Sequence, residues 1–449
     1  MQRSPRNRCD GLRGNKKEIN DMKKILAILL SLMFMLSLAS CGDDENEKDG
    51  KGTGSESTEE VHTVPEEPDV PVAEDFAWEL VDVAVDFQTN ASSPKILVVS
   101  GHGRMPDFNE DENNYLSRPW EEDADNIVYV YVRDGIVSVS DHAFMLCRNL
   151  RAVTFENKEA KNGKMTSDVA YVGDCAFYGC YKLGYIDVRG EKTAVGEDGK
   201  TGPAPITAED MPNSELIDGN VALPSGVTSV GDYAFRACTS MKQLTLPESI
   251  GYIGEYAFRG CTSLEGVIMK SALRSISEGT FYDCTALKAI AKESPKSADI
   301  PLPETVNLPD SVTKIGDSAF FGCTSVTSVV LPSSVTSVGD YAFCKMTSVT
   351  SINLPSKVKT LGKGAFFGCT SLTGISLPAS ITSVGNNIIR ECPAVQSIKF
   401  AGTKSAWSSV SKAESGVALV KVNCSDGTIE WKETPKETET VTESQPTEG

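Results

Sequence analysis

The sequence predicts a repeat solenoid built from coils of about 23 residues. Three observations carry that prediction. The unit LPSGVTSVGDYAFRACTSMKQLTL, starting at Leu223, returns as LPSSVTSVGDYAFCKMTSVTSINL from Leu331 and as LPSKVKTLGKGAFFGCTSLTGISL from Leu354. Its phenylalanine recurs at Phe144, Phe177, Phe235, Phe258, Phe281, Phe320, Phe343 and Phe366, with Ile389 in the ninth place. Five of the eight intervals are 23 residues; the others, 33, 58 and 39, are 23 with insertions of 10, 35 and 16. One such unit cannot close its own core, so coils must stack to bury one.

The chain reaches the repeats through three segments of different character. Met22 opens a run of Lys23, Lys24 and an apolar stretch from Ile25 to Leu38, ending in Ala39-Ser40-Cys41. A charged start, a short apolar run and small residues before a cut describe a secretory signal peptide at 22–40. The apolar run is too short to span a bilayer comfortably. Residues 1–21 precede it and are expected to be a misassigned upstream extension. Residues 42–75 hold 13 acidic and 2 basic side chains and almost no large apolar residue. Such a segment cannot offset its ordering entropy by burial, so 41–75 is expected to be a disordered tether. The tail 433–449, with 5 acidic residues and 1 basic, reads the same way. These two segments account for −15 of the formal net charge of −19. With no basic patch evident in the body, nucleic acid is not an expected partner.

Residues 76–130 show strand-like runs but no repeat, and an open solenoid end needs a cap over its apolar face and free strand edge. His102 in this segment reads as a turn residue. Within a coil, Leu372-x-x-Ile375-x-Leu377-Pro378 reads as a short strand that the proline ends. Gly385 sits at a corner where unusual dihedrals are expected. The acidic residues after corner glycines, Asp232, Glu255, Asp317 and Asp340, suit the N-cap of a short helical turn. That turn carries Ala-Phe inward, with a cysteine three residues later on the same face.

The pattern seen in Ile253-Gly254-Glu255-Tyr256-Ala257-Phe258 and Cys261-Thr262-Ser263-Leu264 resembles the BspA-like family of bacterial leucine-rich repeats over about residues 131–400. The segments Ser100-Gly101-His102-Gly103-Arg104-Met105-Pro106 with Pro119-Trp120, and Phe400-Ala401-Gly402 with Trp407 and Val422-Asn423-Cys424, resemble that family's two ends. The resemblance implies a right-handed solenoid of the leucine-rich repeat type, with a parallel sheet on its concave face, capped at 76–130 and 401–432. It implies surface proteins linked to adhesion and brings no catalytic residues. Leu38-Ala39-Ser40-Cys41 resembles a bacterial lipobox, which implies lipidation of Cys41. The acidic run after it resembles a signal for display on the outer surface of a Gram-negative cell. The expected location is therefore the outer membrane, through the lipid anchor.

Candidate chemistry is sparse. Cys147, Cys180, Cys238, Cys261, Cys284, Cys323, Cys369 and Cys392 each follow the ruler position by three residues, and Met346 replaces the ninth. Replacement by Met favours packed free thiols, although equivalent positions in stacked coils, about 4.8 Å apart, would also permit disulfides. The three histidines, His62, His102 and His142, and the absence of CxxC pairs argue against a metal site. No nucleophile elbow, P-loop or HExxH motif is present, so neither an enzyme nor a cofactor is expected. Outward strand positions are mostly small and uncharged, with one tyrosine and no Trp or Arg. Interfaces favour those residues, so a broad high-affinity groove is not expected. The insertions, near 156–168, 189–222 and 292–308, fall at one point of the coil and so on one edge, the expected binding edge. The candidate ligand residues are Tyr185, Asp187, Gln243, Glu209 and Asp210. The expected partner is an extracellular protein or glycan, and the alternative is a spacer or coat that binds nothing tightly.

Overall fold

The computed structural model describes residues 70–83, 91–108, 118–157, 160–161, 164–165, 168–190, 192–195, 201–212, 216–270, 273–293, 302–412 and 420–431. Cys41, the expected signal peptide at 22–40, most of the expected tether at 41–75 and the tail 433–449 lie outside the described residues. Coils stack through a 16-stranded sheet whose inner strands are parallel. Their register is in phase: Val153, Ile186, Val221, Leu244, Val267 and Ile290 are successive partners. All six are buried, so the repeat period becomes one continuous apolar line. A second wall, at the corner, pairs two residues per coil, in sheets of five and six strands.

The phenylalanines form the third line. Rings from Phe177 to Phe366 stack at centroid distances of 5.1–5.8 Å. Phe177 rests directly on Phe235 across the longest insertion. The insertions therefore add no rung to this ladder.

The Ala-Phe segments, expected as short helical turns, are tight turns instead. The sole α-helix among the described residues is Lys404–Ser409, with 3₁₀ turns at Glu121–Asp123 and Ala208–Asp210. Two residues per segment, four apart, have left-handed dihedrals, as in Tyr233 (φ 55°) with Ala237 (φ 61°) and Tyr341 (φ 54°) with Lys345 (φ 56°). That conformation costs a non-glycine residue about 1–2 kcal/mol. It turns alternate amides toward the next coil: Tyr233, Phe235 and Ala237 donate to the carbonyls of Glu255, Ala257 and Arg259 at 2.7–2.9 Å. A helix would have spent those amides within its own turn.

The corner glycines also differ from expectation. None of Gly173, Gly231, Gly254, Gly316, Gly339, Gly362 and Gly385 has positive φ. They are needed because coils touch there: a Cβ on Gly316 would lie 2.7 Å from the Glu278 nitrogen. The acidic residue that follows does not cap a helix. Where it is aspartate, its Oδ1 accepts the amide of the residue at the same place one coil on, as in Asp141 to Asp174 (2.8 Å), Asp174 to Asp232 (2.7 Å) and Asp317 to Asp340 (2.8 Å).

The ladder cysteines are free thiols. They do more than pack. Each from Cys180 onward donates to the phenylalanine carbonyl one coil back, at 3.0–3.3 Å. Burial pushes the thiols of Cys147 and Cys261 up to about 12.

Both sheet edges are closed by an antiparallel strand, Ala77–Asp82 on Lys95–Ser100 and Gly427–Trp431 on Val420–Cys424. The N-terminal cap begins earlier than residue 76, because Val72 bridges Arg104 and the Ala73 amide donates to the Arg104 carbonyl. His102 is tied to Asp75 at 2.7 Å rather than simply turning the chain. Arg118, fully buried in its side chain, reaches the first coil's open carbonyls at Met145 (2.6 Å), His142 and Ala143 (3.3 Å each) and pairs with Glu121. The Trp120 indole donates to Ala143 at 3.1 Å and stacks on Phe144, starting the ring ladder. At the far end Trp407 packs on Phe400 and Trp431.

Candidate functional site

The second insertion is not a free edge. Its strand Asn220–Ala222 belongs to the long sheet, between Tyr185–Gly190 and Gln243–Leu246. The third insertion likewise supplies Val306–Asn307, between Ala289–Ala291 and Val329–Val330. The first forms a small hairpin, Ala160–Lys161 with Lys164–Met165. The rest of the second insertion folds over the sheet's outer face, where Ile206 and Met211 pack with Ile96, Val98, Tyr129, Tyr131 and Ala152. Two of those side chains are the missed signal: Tyr129 and Tyr131 occupy outward positions of the strand Ile127–Val132. Tyr129 falls within the expected cap, 76–130, and Tyr131 on the first residue of the expected repeats, so neither counts among the outward strand positions of the coils.

Four of the five candidate residues lie on or beside this lid, and most of their polar atoms are already engaged. Tyr129 donates to Thr154 (2.6 Å), and Thr154 donates in turn to Asp187. The other oxygen of Asp187 accepts from Arg189 (2.6 Å) and Tyr185 (3.3 Å). Arg189 also donates to the Asp210 carbonyl (2.7 Å), while the Asp210 carboxylate takes Lys192 (2.6 Å) and the Thr207 amide (2.7 Å). Burial alone would raise the Asp210 carboxyl; Lys192 and Thr207 together hold it below its usual value. Glu156, buried, accepts from Tyr131 (3.1 Å) and the Lys192 amide (2.7 Å). Tyr185, Asp187 and Asp210 thus clamp the lid, so the polar atoms expected to meet a ligand are largely engaged within the fold. Burying so many polar groups is tolerable only because each is paired. Glu209 remains exposed and Gln243 is half-buried, with the strand Asn220–Ala222 between it and Tyr185.

The aromatic and cationic side chains that interfaces favour lie on the turn arm instead. Tyr233 stacks on Tyr256 (5.3 Å), and Tyr282 on Phe321 (4.4 Å). Arg236 sits over Tyr178 (5.0 Å) and Tyr233 (5.5 Å), and Arg259 over Tyr256 (5.5 Å) and Tyr282 (4.6 Å). This half-exposed ridge crosses five coils. The positions two before and one after the ruler phenylalanine line up only when coils stack; the residues are visible in the sequence and their continuity is not.

Among the described residues, no group of three or more His, Cys, Asp or Glu is placed to hold a metal ion. No described helix is long and apolar enough to cross a membrane.

In-phase parallel strands, a stacked phenylalanine ladder and capped ends define a leucine-rich repeat solenoid. A model of the BspA-type leucine-rich repeat region matches residues 122–198, 216–298 and 302–411 in six copies. Those segments make up more than half of the sequence, so the chain belongs to that family. The gaps between matches fall inside the second and third insertions. Solved structures with a related fold include a leucine-rich cell surface protein of Faecalibacterium prausnitzii, 19% identical, covering 79% of this chain and 100% of that one with a TM-score of 0.33. A leucine-rich repeat protein of Eubacterium ventriosum is 16% identical and covers 66% and 96%, with a TM-score of 0.31. The pneumococcal vaccine antigen PcpA is 14% identical and covers 79% and 93%, with a TM-score of 0.34. No curated protein matches the chain.

Proposed function

We propose that the protein is a non-catalytic surface-binding protein, lipid-anchored through Cys41 to the outer membrane of a Gram-negative cell. Its solenoid takes an extracellular protein or glycan in adhesion. The observation that supports binding over a bare spacer is the ridge of Tyr178, Tyr233, Arg236, Tyr256, Arg259 and Tyr282. Tyrosine and arginine dominate interface energetics, and a rigid stacked scaffold presents them without further ordering cost. Family membership and the sequence at Leu38–Cys41 support display at the surface.

The test uses whole cells. Protease applied to intact cells should remove the protein, and Cys41→Ser should abolish incorporation of labelled fatty acid. With display matched, replacing Arg236 and Arg259 together by Ser should lower adhesion to matrix protein or mucin about tenfold, as loss of interface hot spots does. Wild-type adhesion by that variant would remove the ridge from the binding reading and leave the spacer role.

A further inference from the structure

The added strand Asn220–Ala222 opens a cleft at the edge where coils enter the sheet. A regular strand is entered through the loop that follows its own ladder cysteine. This strand has none, because the turn arms of Phe177 and Phe235 stack directly. The chain arrives instead through Ile217, Asp218 and Gly219, between the loops Tyr181–Gly184 and Thr239–Lys242. These surfaces are pinned by backbone bonds: the Gly219 amide to Gly184 (3.1 Å), the Lys242 amide to Gly219 (2.7 Å) and the Ser240 amide to Tyr181 (3.0 Å). They line an open cleft of about 500 Å³.

Arg151, Lys182 and Lys242 line that space, from three rungs far apart in sequence. The expectation that the body has no basic cluster is thereby corrected. Its one lining carboxylate, Asp218, is committed to Asn220, which donates its amide (2.9 Å) and side chain (2.6 Å). Lys182 and Lys242 make no ion pair among the described residues. The fit of Lys242 is built in. Gly219 has φ +96°, and a Cβ there would lie 2.7 Å from Lys242 Cγ. The remaining walls are the hydroxyls of Thr239, Ser240 and Ser263 and glycine backbone, with Ile217 the single large apolar residue. Tyr181, whose carbonyl accepts from Thr239 and Ser240, is 40% exposed.

We propose that this cleft binds an acidic oligosaccharide, through sulfate or carboxylate groups held by Lys182, Lys242 and Arg151. This deepens the surface-binding reading and rests on it for its biological setting. The volume lies in the range of small-ligand sites, roughly 300–1,000 Å³. Its lining is polar, which suits a hydroxyl-rich ligand better than the apolar side chains of a peptide. Positive charge concentrated on an otherwise acidic chain is selective for anions, and salt should weaken the interaction.

The experiment titrates the full chain with a heparin octasaccharide, a hyaluronan octasaccharide and a neutral maltooligosaccharide. The expected result is binding of at least one acidic probe and not the neutral one, weakened about tenfold by Lys182→Gln with Lys242→Gln. Binding should stay within twofold in the equal-charge control Lys314→Gln with Lys357→Gln, two exposed lysines elsewhere. Heparin binding without hyaluronan binding assigns sulfate, and binding of both assigns carboxylate as sufficient. No acidic probe bound, equal losses in the two double variants, or poly-glutamate bound as tightly through the same lysines would overturn the proposal. Cell adhesion separates the two readings. Failure of the unmutated chain to bind any acidic probe, while cells displaying it still adhere, refutes the cleft alone, whereas a protein absent from the cell surface refutes the surface role alone.

Discussion

An aspartate at a corner carries opposed demands. Its Oδ1 must accept an amide from the next coil, yet stacking places like charges side by side. Burial is the largest cause holding the carboxyls of Asp141, Asp174 and Asp232 above their usual range, and neighbouring carboxylates add to it. A carboxyl whose folded pKa is raised costs stability once ionised; the cost is full at neutral pH and is relieved as pH falls through the folded value. Asparagine keeps the acceptor and drops the charge, and Asn386 already stands at this position in the last coil. Asp174→Asn should therefore melt about 1–2 °C higher than wild type at neutral pH, a gain of roughly 0.5 kcal/mol after solvent screening. The gain should shrink as pH is lowered toward the ordinary carboxylate range. A lower melting temperature at neutral pH would show that the charge strengthens the amide bond by more than the repulsion costs.

At the level of elements, the first turn arm and the N-terminal cap solve one problem. Each arm turns its amides toward the following coil, so the first arm's carbonyls have no coil before them. Arg118 supplies the donors, with Trp120 completing the set at Ala143. Arg118→Met would leave those carbonyls buried and should cost about 3 kcal/mol, by the usual price of an unpaired buried polar group. Trp120→Phe removes one neutral hydrogen bond and should cost about 1 kcal/mol. Because each coil touches only its neighbours, the loss is expected at that end. Amide exchange should quicken at His142, Phe144 and Leu146 and stay unchanged at Phe343. A uniform rise along the array would mean that the cap stabilises the molecule globally.

Across the whole molecule, what was legible in the sequence was whatever repeats. The phenylalanine ruler, the cysteine three residues on and the strand-ending proline each fix a line of side chains, and one coil predicts the rest. The turn conformation was misread because Gly-Asp before an apolar pair is also how a helix begins. Only the stacking of coils shows that the amides are needed outside the turn. The internal partners of the candidate site residues are hidden in the sequence for a related reason. Tyr185, Asp187 and Asp210 lie near one another as expected, but the partners that occupy them, Tyr129, Thr154 and Arg189, come from strands brought alongside by the fold. Lys182 and Lys242, 60 residues apart in sequence, line one cleft because the turn arms of Phe177 and Phe235 stack directly and the added strand enters between their loops.

Register shows how separable those insertions are. Ile290 pairs with Val306 and Ile186 with Val221, so each added strand duplicates the core position of the strand before it. Deleting residues 290–305 joins Ala289 to Val306 and restores a 23-residue interval. The corner pair Ile276 with Ile315 and the stack of Phe281 on Phe320 already bypass that insertion. Among the described residues the deletion removes Leu302, which sits over Gly266, and the exposed Lys292–Asp310 pair, while Val306 takes the core place of Ile290. Deleting 186–220 restores the period equally well but removes the lid. It uncovers Tyr129 and Tyr131 and takes Asp187 from Thr154 and the Lys192 amide from Glu156. The first deletion should melt within about 3 °C of wild type in one cooperative transition; the second should lose several times that, at roughly 2–4 °C per kcal/mol. Near-ultraviolet circular dichroism should change only for the second, as its tyrosines become mobile. Equal losses would mean that both insertions are structural members of the solenoid, and an unfolded first variant would show that the added sheet strand carries more than its register implies.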